Sequence, residues 1–127
     1  MRPHLVLDTG ALLAYVKGSE HVGRHLADAA DLASTAAIPA ICLAEAYAEI
    51  HHDDHHHLDV LHTLPVVGVY DLTAGDCPIV GGLGSRTGRL GLGHAVFTAL
   101  SNAALLLTSD PLDARRLLTA DWPIEQV

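Results

Sequence analysis

Two short apolar runs near opposite ends of the chain each lead into an aspartate, and this pairing constrains the fold more than any other feature. Leu5-Val6-Leu7 leads into Asp8, and Leu105-Leu106-Leu107-Thr108-Ser109 leads into Asp110. A brief, continuously apolar run reads as a strand buried on both faces, as in a parallel sheet covered by helices. In an open parallel sheet, ligands gather beyond the carboxyl ends of the strands. The two aspartates, distant along the chain, are therefore expected at one rim.

The segments between them alternate in type. Residues 11–16 read as a helix ended by Gly18, and Val22, Leu26, Ala29 and Ala30 have helical spacing. Ala36-Ala37-Ile38 is β-capable until Pro39, and residues 40–50 resume as a helix carrying Glu45 and Glu49. Val66-Val67-Gly68-Val69-Tyr70 is a strand after Pro65, and a helix can begin after Asp76. Residues 81–93 contain six glycines and read as a loop or a frayed helix end. Residues 94–104 are helical, Pro111 opens another helix, and residues 123–127 suit an edge strand. This alternation predicts an α/β fold, a parallel sheet with helices on both faces, in one domain over residues 1–127.

Half of the 127 residues are hydrophobic, enough for a core, and the scarcity of aromatics leaves that core to Leu, Val, Ile and Ala. The formal charge of −8 argues against gripping nucleic acid by charge alone. Any such contact must be local, metal-mediated or helped by a partner. Cys42 and Cys77 lack the spacing of a zinc or redox motif and read as two buried thiols in a reducing compartment. With no secretory pattern and no apolar stretch long enough for a bilayer, a cytoplasmic protein without a membrane anchor is expected.

A third acid, Glu45, sits one turn into a helix beside Leu43, Ala44 and Ala46, which suggests a largely buried turn. Three carboxylates brought together repel one another, so either their pKa values rise or a cation resolves the conflict. Oxygen-only donors favour hard ions such as Mg²⁺ and Mn²⁺. A plainer reading stands beside this one: Asp8 and Asp110 each precede a helix and could be N-caps, and Glu45 could be an ordinary acid bonded to a helix end.

Taken together, these residues resemble a known family. Leu5-Val6-Leu7-Asp8-Thr9-Gly10-Ala11-Leu12-Leu13-Ala14 resembles the opening of PIN domains, Ile41-Cys42-Leu43-Ala44-Glu45 their second motif, and Leu105-Leu106-Leu107-Thr108-Ser109-Asp110 their last. The order and spacing agree across nearly the whole chain, and the overall resemblance is to VapC-like toxins of bacterial toxin–antitoxin pairs. The resemblance implies a three-layer α/β/α sandwich with a parallel sheet of four to five strands. It also implies an Mg²⁺- or Mn²⁺-dependent endoribonuclease, with Asp8, Glu45 and Asp110 as metal ligands or positioning the attacking water. Thr9 or Thr108 would orient those ligands, an antitoxin would occupy the groove, and a homodimer would be usual.

One position departs from the family pattern. An Asp is usual at the start of the helix before the last strand, and His94 stands there. An imidazole can ligate Mn²⁺ or Zn²⁺, whereas Mg²⁺ prefers oxygen. Changed metal preference, weakened catalysis and a site that no longer cuts all follow as alternatives, as does a His94 that is merely polar. Arg86 and Arg89 flank the glycine-rich stretch and are the candidates for RNA contact. Arg115 and Arg116 could touch phosphate or simply favour a helix C-terminus.

The histidine tract, His51-His52-Asp53-Asp54-His55-His56-His57, places His51 with His55 and His52 with His56 at four-residue spacing. Such pairs can chelate Zn²⁺ or Ni²⁺ on a helix, although an exposed polar helix start is the commoner explanation. Three functions therefore compete: a metal-dependent ribonuclease; a degenerate PIN-like domain that binds RNA or a protein partner with weakened or no cutting; and a histidine-based metal-binding protein.

Overall fold

Leu5, Val6 and Leu7 are wholly buried in the structure, a computed structural model that describes residues 2–127. They form β1 (Leu5–Leu7), the centre of a five-stranded, all-parallel sheet with strand order β3-β2-β1-β4-β5. The other strands are β2 (Ala36–Pro39), β3 (Val67–Tyr70), β4 (Leu105–Thr108) and β5 (Ile124–Gln126). Register is fixed by pairing Leu5 with Ala36 on one side and with Leu105 on the other. Among the described residues, seven helices flank the sheet in the three-layer α/β/α arrangement expected from the sequence.

The helices are α1 (Thr9–Val16), α2 (Glu20–Asp31), α3 (Ala40–Glu49), α4 (His55–Leu61), α5 (Cys77–Thr87), α6 (Leu90–Asn102) and α7 (Pro111–Arg115). Their starts follow local chemistry. Ser19 Oγ accepts from Val22 N–H to cap α2, and Pro111 sits at the first turn of α7, where its missing N–H costs nothing. The core is aliphatic: Leu12, Val22, Ile38, Leu58, Leu61, Val96, Leu106 and Leu107 are all fully buried. Alanines at 36 and 37 keep β2 thin enough for helices to approach both faces.

The glycine-rich stretch is where the structure departs most from the sequence reading. It is no loop. α5 and α6 run through it as a tight helical hairpin, turned at Gly88 with φ +73°. A Cβ on Gly93 would lie 2.6 Å from Gly84 N and 2.7 Å from the Val80 carbonyl oxygen, so the absent side chains let the two backbones touch. Consequently α6 begins at Leu90, and His94 lies inside the helix rather than at its start.

The cysteines also divide. Cys42 is buried as expected, but Cys77 is exposed at the start of α5, because the helix turns that residue outward. The histidine tract forms a short 3₁₀ turn, His52–Asp54, and then the first turn of α4. No helix among the described residues is long and apolar enough to cross a membrane.

Candidate functional site

The strand order locates the site before any side chain is considered. The chain proceeds from β1 outward through β2 and β3, then returns to the other side of β1 to lay down β4. Strand order reverses between β1 and β4, and an open parallel sheet opens its ligand crevice beyond the carboxyl ends at such a switch point. Asp8 follows β1 directly and Asp110 follows β4 by two residues, so both lie at this edge.

Asp8 is the most constrained of the acids, at 1% exposure. Its Oδ1 accepts from Ala11 N–H at 2.9 Å and caps α1, so the plain helix-cap reading holds for one oxygen. The other, Oδ2, is buried without a hydrogen-bond partner among the described residues. Burial pushes the carboxyl above its ordinary value, opposed by the Thr108 hydroxyl, the Ala11 N–H and the Arg89 charge. An unpartnered carboxylate oxygen in such a place costs free energy unless something positive or protic meets it.

Glu45 reaches the same rim from α3. Its Oε1 accepts from Thr9 Oγ1 at 2.7 Å, which ties it to the residue after Asp8. Glu45 is half-buried rather than largely buried, because Ala44 beside it faces solvent and its own turn borders a groove. Cys42 lies between these acids. Its thiol donates to the Gly91 carbonyl at 3.1 Å, and burial, with the negative charges of Asp8 and Glu45, pushes its pKa up.

Asp110 is held differently. Its Oδ1 accepts from Asp113 N–H to cap α7, and its Oδ2 takes an ion pair from Arg89 Nη1 at 3.2 Å. Arg89 also stands 3.9 Å from Asp113 Oδ2. Thr108 is buried, and its Oγ1 accepts from Asp110 N–H at 3.0 Å. Arg89 therefore occupies a fixed place between the acids, where a flexible basic loop was expected. Arg86 is likewise fixed: its guanidinium donates to the Arg116 carbonyl, and Arg116 returns the bond to the Arg86 carbonyl. Those bonds tie α5 to the end of α7 and leave neither arginine on a mobile strap.

His94 is not brought to this rim. It is buried in α6, accepts from Ile41 N–H through Nδ1 at 3.4 Å, and borders a pocket with Tyr70, Asp71, Asp76 and Phe97. Burial pulls its pKa down, against the pull of Asp76. The residue of α6 that does face the acids is Gly91, one turn earlier. A Cβ there would fall 1.9 Å from Glu45 Oε1 and 3.0 Å from Thr9 Oγ1. Sequence reading misses this because it sets the helix start at 94. The alternating Leu90-Gly91-Leu92-Gly93 was the available signal.

Over Thr9, Glu45, Glu49, Gly88 and Arg89 lies an open groove of about 470 Å³. The donor set fits a hard divalent cation: an orphaned, buried Asp8 oxygen beside a half-exposed Glu45 carboxylate, with space preserved by the missing Gly91 side chain. Asp8, Glu45 and Asp110 share the rim without closing on one another. Among the described residues, the trio of ligand-type side chains whose donors all lie within 4.8 Å is His21, His25 and Glu125, elsewhere in the molecule.

This architecture defines a fold class: the chain has a PIN-like, VapC-like α/β/α fold. No protein-family model matches the sequence, and no curated protein does. Solved structures carry the likeness. VapBC2 from Rickettsia felis, bound to a DNA fragment from its promoter, superposes with a TM-score of 0.68 at 19% identity over 96% of this chain and 97% of that one. DNA-bound VapBC from Salmonella typhimurium gives 0.65 at 20% identity over 98% of each chain. PAE2754 from Pyrobaculum aerophilum gives 0.64 at 17% identity over 100% of this chain and 92% of that one.

Proposed function

We propose that this chain is a cytoplasmic, metal-dependent endoribonuclease and the toxin component of a toxin–antitoxin pair. The observation that carries the reading is the Asp8 oxygen left without a partner at the switch point, with Glu45 beside it and Asp110 across the crevice. A fold shared with the VapBC structures supports an antitoxin as the protein partner.

Asp8 and Glu45 would hold Mg²⁺ or Mn²⁺, which supplies a Lewis acid for the phosphodiester and lowers the pKa of an attacking water. The chain's own residues do the rest. Thr9 fixes the Glu45 carboxylate by its hydroxyl, and Thr108 positions the start of the Asp110 loop. Glu45, half-exposed on the groove, would also position the attacking water. Arg89 offers phosphate a cation at the groove edge once RNA competes with Asp110 for it. A chain of charge −8 has little general attraction for RNA, so binding depends on this local chemistry and on a second copy in a homodimer or another partner.

A second reading rests on two specific observations. Gly91 supplies no acid at the α6 position facing Glu45, and Arg89 already neutralises Asp110. These favour a degenerate PIN-like domain that binds RNA or protein without efficient cutting. One experiment separates the two: cleavage of a long single-stranded RNA in Mg²⁺ and in Mn²⁺. The nuclease reading expects cutting by the natural chain and a loss of about 100-fold or more in Asp8→Asn, the usual scale for removing a group that acts on the reacting centre. No cutting with either ion, together with retained RNA binding, sinks the nuclease and leaves the degenerate domain.

A further inference from the structure

We infer that His21, His25 and Glu125 form a second metal site, chemically distinct from the acidic rim, that takes Zn²⁺ and ties the C-terminal strand to α2. His21 and His25 are four residues apart on α2 and therefore share one face of the helix. That face meets Glu125 on β5, the edge strand, which pairs only with β4. The three donor atoms lie within 4.8 Å of one another.

The orientation of the rings carries the argument further than proximity does. Both imidazoles present Nε2 to the same oxygen, Glu125 Oε2: His21 at 2.7 Å, and His25 in a closer contact. The rings stand edge to face, with centroids 4.9 Å apart and planes at 72°. His21 Nε2 is buried, yet it makes no properly directed hydrogen bond to the oxygen beside it. The contact is thus close without being a well-directed hydrogen bond.

The donor chemistry selects the ion. Two neutral imidazoles and one carboxylate suit a borderline transition cation, and a His₂Glu set with water in the fourth position is a familiar zinc environment. Mg²⁺ prefers an all-oxygen shell and has no use for the imidazoles. The side chains are 42%, 22% and 42% exposed, so an ion can enter and keep a water. The consequence is structural. Helix α2 lies in the first third of the chain and Glu125 next to its end, with His25 and Glu125 a hundred positions apart. A bound ion would pin an edge strand otherwise held by one ladder, and binding only the folded state would add directly to stability.

The test uses the full chain, stripped of metal, with His51, His52, His55, His56 and His57 replaced by Gln so that the tract does not contribute. Calorimetric titration with ZnCl₂ at pH 7.5 should show one equivalent bound. Removal of one ligand in His21→Gln, His25→Gln or Glu125→Gln should weaken binding by about 100-fold, since a coordinating group matters at least as much as the outer-shell groups that cost 10–100-fold. The same titration in excess Mg²⁺, which occupies the acidic rim and has little affinity for imidazole, should give the same result. Co²⁺ in place of Zn²⁺ should give the intense visible absorption of a four-coordinate site. Should a variant fail to fold, the tract-replaced parent still decides: ring proton resonances of His21 and His25 should shift first as Zn²⁺ is added below one equivalent. Zn²⁺ affinity unchanged in folded Glu125→Gln, binding abolished by the tract replacement alone, or ring resonances of His21 and His25 that ignore the ion would each overturn the site.

Discussion

Gly91 controls the room available to Glu45, and its replacement separates geometry from stability. In Gly91→Ala the new methyl meets the far end of a flexible carboxylate, which can swing aside and give up its bond to Thr9. The folding cost should be about 1 kcal/mol, the scale of one partly exposed hydrogen bond. RNA cleavage, if it depends on a fixed Glu45, should fall about tenfold or more. A melting curve beside a cleavage assay checks both halves. His94 makes the converse case, important to stability and remote from the acids. The folded chain holds its ring neutral by burial, while the unfolded chain takes up a proton below about pH 6.5, its ordinary value. Below that pH the unfolded state binds more protons, so acid erodes stability, fully absent as a cost above it. His94→Asn should therefore lose less Tm than the natural chain between pH 7.5 and pH 5.5. An equal or steeper loss in the variant would show that His94 is not the titrating group.

At the scale of elements, the α5–α6 hairpin shows what residue patterns do and do not disclose. β1, β3 and β4 were legible because short runs of Leu and Val have few alternatives to a buried strand. The hairpin was not, because glycine lowers helix propensity and carries no apolar periodicity, so its helix is dictated by the partner it packs against. The glycines accordingly differ in cost. Gly93→Ala drives a methyl into the backbone of α5 at Gly84 and Val80 and should destabilise by about 3 kcal/mol or more, since overpacked backbone cannot relax cheaply. Gly81 and Gly82 have open space around the same position and lie exposed in α5, so Gly81→Ala or Gly82→Ala should stabilise by about 0.5–1 kcal/mol. Urea unfolding of the three variants measures the contrast. If Gly93→Ala matches the other two, the close contact between the helices is wrong.

Over the whole molecule, the rim was foreseeable from Asp8 and Asp110 because strand ends of a parallel sheet share one edge. What could not be foreseen was the cation already there: Arg89 meets Asp110 only after α6 folds against the sheet. The cluster of His21, His25 and Glu125 was equally hidden, since nothing in residues 20–31 indicates which strand will lie against them. Net charge acts at this scale too. The net charge of −8 that keeps copies apart at neutral pH falls to zero at the isoelectric point near 5.5. Light scattering should rise toward pH 5.5 and fall again when salt is lowered at pH 7.5; a flat profile would assign solubility to something other than charge.

The pairing of β1 with β4 has a further consequence for folding. Leu5 of β1 pairs with Leu105 of β4, so the centre of the sheet closes only when a segment far along the chain docks. Until residues 105–110 dock, the crevice lacks its second wall, and Asp8 stands at an unfinished rim. The rim thus takes shape late, with this long-range pairing rather than with any local element.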